Sequence, residues 1–496
     1  MSIRLHRVAA PIASAVALIA AVGLIVMAVA PGASGAARDQ LPPKVKPAVA
    51  TTPGVAVPGR ERSTVAAGAT RLGFCGGDDW EPEIASDGST HVYVVWAHFP
   101  GDPTCDPASG NGRDIYIRVS NDGGETFGPA HVVAHTIYPN VVDCVVTVSD
   151  TGVVYVSFLG YGLPGLPAKA TDVVVARSAN FGQTFTWTKV NGPGCTECDH
   201  PWAVARGNNA YVAYAEVGHH WLSRSADGGL TWTETLLRSD THVPFPEGGV
   251  LDAAGNAWFA WGDCSGSCTG KQAATYRVSR TLAGTSTTTF ADVATGPSGP
   301  DCPFNSCGFG YFGPQDDIAI DAAGTLYLVW QDGQDHTKPK SPPVVQLSRC
   351  SGGANCTEES NWHYVGRADD KTASGCALSA CYALFPRVEG GAANQISVVW
   401  MDDRNGGPID HENGWNVWYR SSANGGTSWK RPGYRVSTYD PTRPESQPNG
   451  FKFPYGDYQG IDITPQGNAV MIWGEGTDYD GGPTKPGHVI YRTLPV

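Results

Sequence analysis

Charge is scarce in this sequence: Asp, Glu, Lys and Arg together make up 16% of its 496 residues. That leaves too few polar side chains to coat the outer faces of a helical bundle, and many short strands joined by turns suit it better. Basic residues are scarcer still, 34 against 47 acidic ones, for a net charge of −13. This deficit argues against nucleic acid as a partner, since phosphate contacts need clustered Lys and Arg. No cysteine precedes Cys75, which excludes a lipid-modified cysteine at the N-terminus. No second CxxC accompanies Cys195 and Cys198, so a loop disulfide is favoured there over a zinc or redox site.

Glycine (62) and proline (37) are abundant, and hydrophobic residues make up 41%, enough for a large core. Arg4 and Arg7 precede an apolar run over 8–30 and small residues through Ala37, the order of an export signal. The run is long for a signal core, so an uncleaved membrane anchor stands as the second reading. Residues 38–70, rich in Pro, Ala, Val and Thr, are expected to be a spacer. Export places the chain outside the cell or in its envelope and favours disulfides among the 13 cysteines. Close spacing suggests the pairs Cys195 and Cys198, Cys264 and Cys268, Cys302 and Cys307, Cys350 and Cys356, and Cys376 and Cys381. Cys75 with Cys105 would leave Cys144 odd.

The chain repeats itself. An alternating strand ending in an aromatic residue recurs seven times: HVYVVW to Trp96, VVYVSF to Phe158, NAYVAY to Tyr214, NAWFAW to Trp261, TLYLVW to Trp330, QISVVW to Trp400 and NAVMIW to Trp473. A short apolar strand precedes each copy, and further strands follow most of them. Four antiparallel strands per repeat predict an all-β fold, a β-propeller of seven four-stranded blades, or six if one repeat is irregular. The last repeat lacks an outer strand before Val496. Residues 64–72 are expected to supply it and close the ring.

Four copies of an octapeptide mark the blade phase: SNDGGETF at 120–127, SANFGQTF at 178–185, SADGGLTW at 225–232 and SANGGTSW at 422–429. The Asp or Asn can bond its own turn's amides, the glycines allow positive φ, and the aromatic ring buries itself. Calcium held by Asp122 and Asp227 is the functional alternative; no other cofactor or metal is expected. The octapeptides resemble the Asp-box, or BNR repeat, of the sialidase superfamily, and the resemblance extends as repeats over residues 75–496. It implies that the boxes join third and fourth strands on the face opposite the active site, with 71–496 as one sialidase-like propeller.

Chemistry is then expected where chain segments enter first strands or leave second ones. DDWEPE (78–83), YPNVVD (138–143), CDHP (198–201), GPQDD (313–317), FPR (385–387) and PYGDYQG (454–460) bring acids and aromatic rings to that mouth, the composition of a sugar site. The family uses a tyrosine nucleophile, an activating glutamate, an acid/base aspartate and three arginines. DYQGIDITPQGNAVMIWGEG (457–476) is similar to the family's last blade and matches Tyr458 to the nucleophile. Asp102 or Asp106 would be the acid/base and Glu247 the activator, with Asp316 and Asp457 as further candidates for the proton chemistry. Arg387, Arg404, Asp78, His200 and Trp80 would contact substrate. The family's first-blade arginine motif is absent, because DWEPEIASD stands there, and so is the arginine expected before the last box. The resulting expectation is a secreted glycoside hydrolase, exo-α-sialidase-like, acting on extracellular glycans or glycoconjugates. The second is a non-catalytic propeller that binds carbohydrate or protein.

Overall fold

The computed structural model describes residues 69–73, 78–99, 113–133, 137–165, 167, 170–265, 273–297, 314–333, 341–370, 382–404, 416–430, 433–437, 459–475 and 488–496. The unit Thr51–Val496 carries seven antiparallel sheets of four strands each. Within a blade the chain runs outward strand by strand, as in blade one: Asp78–Ser86, Val92–Phe99, Asp114–Ser120 and His131–Val132. The innermost strands of blades two to seven are Asn140–Val148, Asp199–Arg206, His242–Leu251, Asp316–Ile320, Ala383–Gly390 and Gly460–Ile463. Each touches the innermost strands on either side, and blade seven's touches blade one's, so the sheets form a seven-bladed propeller.

The ring closes as the sequence predicts. Ala69–Arg71 adds to blade seven as its outermost strand, with Ala69 opposite Arg492 and Arg71 opposite Ile490. Inside this seam Asp79 accepts hydrogen bonds from His98 Nδ1 at 2.6 Å and His488 Nδ1 at 2.8 Å. Burial works to raise the Asp79 carboxyl, but the bonds from His488 and His98 outweigh it and hold the group below the usual range.

The seven repeated aromatic residues are all buried, none more than 2% exposed. They fill the wedges between sheets, where adjacent blades share apolar clusters such as Trp80, Tyr93, Tyr138 and Phe158 between blades one and two. Cys195 pairs with Cys198 and Cys350 with Cys356. Cys264 is also disulfide-bonded, while Cys144 is free and buried, as its odd count suggests.

All four octapeptides join third to fourth strands. In the first, Asp122 Oδ1 accepts from the Thr126 amide and Ser120 Oγ, and Oδ2 accepts from Thr126 Oγ1. Hydrogen-bond donors thus surround the carboxylate where a calcium site would need acceptors. Each box also braces the preceding blade. Thr493 Oγ1 donates to the Gly124 carbonyl across the seam, Arg177 Nε to that of Gly228, and Arg349 Nη1 to that of Asn424.

Candidate functional site at the channel mouth

The two ends of the ring differ. Connections from first to second strands are short turns; third-to-fourth connections share that end, where the one from Cys350 to His363 is as long as the shortest of the long connections opposite. The long connections run from Phe99 to Asp114, Pro297 to Asp316, Arg367 to Ala383, Asp402 to Asn416, Arg435 to Gly460 and Glu475 to His488. All of them lie at the end where the innermost strands begin, which is where a propeller has room to build a site.

At that end most innermost strands carry a bulge in place of regular pairing: between Trp80 and Glu83, Val142 and Val145, Asp199 and Trp202, Pro246 and Gly248, and Leu384 and Arg387. Four non-glycine residues inside these bulges are left-handed: Glu81 (φ 53°), Asp143 (55°), His200 (50°) and Phe385 (52°). Such backbones cost on the order of 1 kcal/mol each and recur where structure serves a site. Here they turn Glu81, Asp143, His200, Glu247 and Phe385 into one ring of positions. Asp316 joins it at the same height, opposite Trp330.

Arg387 ties the ring together from the axis. Its Nε donates to the Gln459 carbonyl at 3.0 Å, and its Nη1 donates to the carbonyls of Glu247 at 3.0 Å and Asp316 at 3.1 Å. Its Nη2 reaches Glu247 Oε2 at 3.4 Å, and the guanidinium lies over the Trp202 ring, 5.0 Å from its centroid. One side chain of blade six thereby engages blades three, four, five and seven. His200 Nδ1 lies 3.3 Å from Glu247 Oε1, and its ring meets Phe245 edge-on.

Asp316 is fully buried, and neither of its carboxylate oxygens has a hydrogen-bond partner. Burial raises its carboxyl well above the ordinary range, and the neighbouring charges of Glu247 and Asp317 add to the rise. Burial thus favours the neutral form of Asp316, which sits beside Glu247, itself ion-paired with Arg387. A carboxyl raised by burial next to an arginine-paired carboxyl is the raw material of acid–base catalysis.

The other residues expected at the site divide in three. Glu247, Asp316, Arg387 and His200 come together. Trp80 is 3% exposed and packs into the wall between blades one and two, because the bulge after it turns the strand there. Arg404 is tied to Asp402, with Nε to Oδ1 at 2.8 Å and Nη2 to Oδ2 at 2.5 Å, and it stacks 3.7 Å from the Trp418 ring centroid. Both residues are committed to the protein itself. Asp102, Asp106, Asp457 and Tyr458 lie outside the described residues. Asp78 begins the first inner strand.

Below the mouth lies a second tier of acids: Glu83 and Asp317 end segments that the sequence placed at the mouth without singling them out, and Glu389 and Asp462 were missed. Glu83, Asp317, Glu389 and Asp462 line an axial channel of about 180 Å³ with Arg387 and Trp202. Asp317 crosses from blade five to six, its Oδ2 accepting from the Val388 amide at 2.8 Å. Asp462 crosses from blade seven to one, its oxygens accepting from the Ser86 amide and hydroxyl at 2.5 and 3.0 Å. Burial pushes Glu83 up to about 8 and Asp317 up to about 7, each against the lowering influence of Arg387. A separate buried cluster, His220, Asp240 and Asp263, gathers metal-type ligand atoms. Arg277 Nη1 already lies 2.5 Å from Asp263, and Arg238 Nε lies 2.8 Å from Asp240, so its charge is matched without an ion.

No protein-family model matches the chain, and no curated protein matches it. Among solved structures it is similar to a Dyadobacter fermentans protein of unknown function, at 12% identity and TM-score 0.45 over 72% of this chain and 98% of that one. It is similar to a Trypanosoma rangeli sialidase in complex with sialic acid, at 8% identity and TM-score 0.41 over 87% and 59%. It is also similar to YCF48 bound to a D1 peptide, at 12% identity and TM-score 0.43 over 90% and 100%. These are loose likenesses of fold.

Proposed function

We propose that the protein is an extracellular glycoside hydrolase of the sialidase-like propeller type, with Asp316 as general acid and Glu247 as its carboxylate partner. The observation that carries this reading is the Asp316 carboxyl, fully buried without a hydrogen-bond partner beside the Arg387-paired Glu247. In this reading Asp316 gives its proton to the glycosidic oxygen as the bond to the departing sugar breaks. Glu247 faces the positive charge that develops at the sugar's anomeric carbon and takes a proton from the water that adds there, so a C–OH bond replaces the glycosidic bond. Arg387 fixes Glu247 and the backbone around it, and His200 holds the other side of the same carboxylate.

The substrate expected is a neutral glycan. Binding a sugar carboxylate calls for guanidinium forks turned toward it. Arg387 and Arg404, the arginines expected to do this, are engaged with the protein's own carbonyls and carboxylates. The Asp-box pattern supports kinship with the sialidase superfamily without supporting its preference for sialic acid.

The second reading, a non-catalytic binding propeller, draws on the complete burial of Glu247 and Asp316. A panel of neutral glycosides and one sialoside, assayed with wild type, Asp316→Asn and Tyr458→Phe, separates the possibilities. Neutral glycoside turnover lost in Asp316→Asn and kept in Tyr458→Phe is expected. Sialoside turnover lost in Tyr458→Phe would return the nucleophile to the family's tyrosine, and no turnover at all would leave the binding module.

A further inference from the structure

We infer that the axial channel beneath the mouth binds one calcium ion, held partly through water by Glu83, Asp317, Glu389 and Asp462. The four carboxylates come from the innermost strands of four successive blades around the ring: five, six, seven and one. They line a single cavity of about 180 Å³. Glycines on the facing strands make room for them. A Cβ on Gly460 would sit 2.6 Å from Glu83 Oε1, and one on Gly248 would sit 2.1 Å from Asp317 Oδ1.

The decisive atom is Glu83 Oε2. Glu83 is 6% exposed and lines the cavity, and this oxygen has no hydrogen-bond partner, while Oε1 accepts from the Ile84 amide at 3.0 Å. A buried carboxylate oxygen without a donor is costly unless a proton or a cation meets it. Among the described residues the only cationic side chain along the channel, Arg387, is already ion-paired with Glu247 above it. Among the described residues every lining group that could ligate an ion offers oxygen, with no imidazole, thiol or thioether among them. This selects a hard cation, and calcium tolerates irregular, partly hydrated oxygen shells better than magnesium does. The axial acids are not drawn in as tightly as His220, Asp240 and Asp263, whose ligand atoms lie within 4.8 Å of one another, and water completes the shell. Asp317 and Asp462, already anchored by amides of the next blade, would make the ion a clasp between blades.

The test is calorimetric titration of calcium into chelator-treated full-length protein, paired with thermal unfolding in calcium and in EDTA. The expected result is one saturable site, a Tm raised by roughly 2–4 °C at saturating calcium, and at least tenfold weaker binding in Glu83→Gln. In EDTA, Glu83→Gln should unfold at or above the wild-type temperature, because it replaces a buried acid, whose ionisation the channel opposes, with a neutral group of the same shape. Should that variant not fold, Glu389→Gln, at a half-buried position, takes its place with the same expectation. Absence of saturable binding in wild type, or equally tight binding in the variant, overturns the proposal. A variant destabilised by the same amount in EDTA and in calcium also overturns it, since that marks a structural role alone.

Discussion

Arg387 holds Glu247 twice, through the backbone carbonyl at 3.0 Å from Nη1 and through Oε2 at 3.4 Å from Nη2. Both residues are buried. Replacing Arg387 by alanine strands a buried carboxylate and removes a donor from three carbonyls, so a loss of about 3–5 kcal/mol is expected. Arg387→Lys keeps the charge without the fork and should lose less. Denaturant unfolding of the two variants measures both, and equal stability of Arg387→Ala and wild type would contradict a tie through Arg387.

The axial acids give stability an unusual pH dependence. Burial raises Glu83 to about 8 and Asp317 to about 7, so the folded state binds protons that the unfolded chain has released. Stability contributed this way is whole below the unfolded value near 4 and falls as pH rises toward 7 to 8, by about 1.4 kcal/mol per pH unit for each group. In EDTA, the Tm should fall between pH 5 and pH 8, and Glu83→Gln should flatten the slope. A Tm that climbs across this range would contradict the assignment.

Asp122 and its Asn counterparts predict a graded series. Asn180 and Asn424 keep the box geometry by accepting amides through Oδ1 and donating Nδ2 to Thr184 and Ser428. Asp122→Asn should therefore be nearly neutral, whereas Asp122→Ala loses several turn bonds and about 1–2 kcal/mol. Neither change should alter turnover, which steady-state kinetics on the same preparations would check.

Asp316→Asn should leave stability unchanged or raised, because it replaces a buried acid with a neutral group of the same shape. Thermal unfolding at pH 7 reads this directly. A large loss would mean that Asp316 is ionised in the folded protein and paired with a cation.

The blade count was legible because packing imposes it: an aromatic residue must end each second strand to fill a wedge, and Trp96 through Trp473 do so in strict succession. The seam was legible for a similar reason, since blade seven lacks an outer strand before Val496. The mouth was legible only where residue type sufficed. Glu247 and Asp316 stand in segments entering inner strands, and their meeting follows from the ring. That Trp80 packs into a wall and Arg404 pairs with Asp402 was not legible, because a bulge or a local ion pair decides which way a side chain turns, and neither shows in composition. Of the lower acids only Asp462 carried a signal that went unread, since it interrupts the otherwise apolar GIDI strand; Glu83 and Glu389 share their strands with other charged residues. The seam cluster had none: Asp79 and His98 face each other within blade one, but His488 joins them only once the ring closes.

The most direct measurement is the rate at which Asp316→Asn hydrolyses the best neutral glycoside found for the wild type, made on protein shown by near-ultraviolet circular dichroism to be folded. A general acid in that position predicts a fall in kcat of about 10²–10⁴ with the alkaline limb of the pH profile removed. Wild-type turnover by the folded variant would contradict the assignment of chemistry to the Glu247 and Asp316 pair.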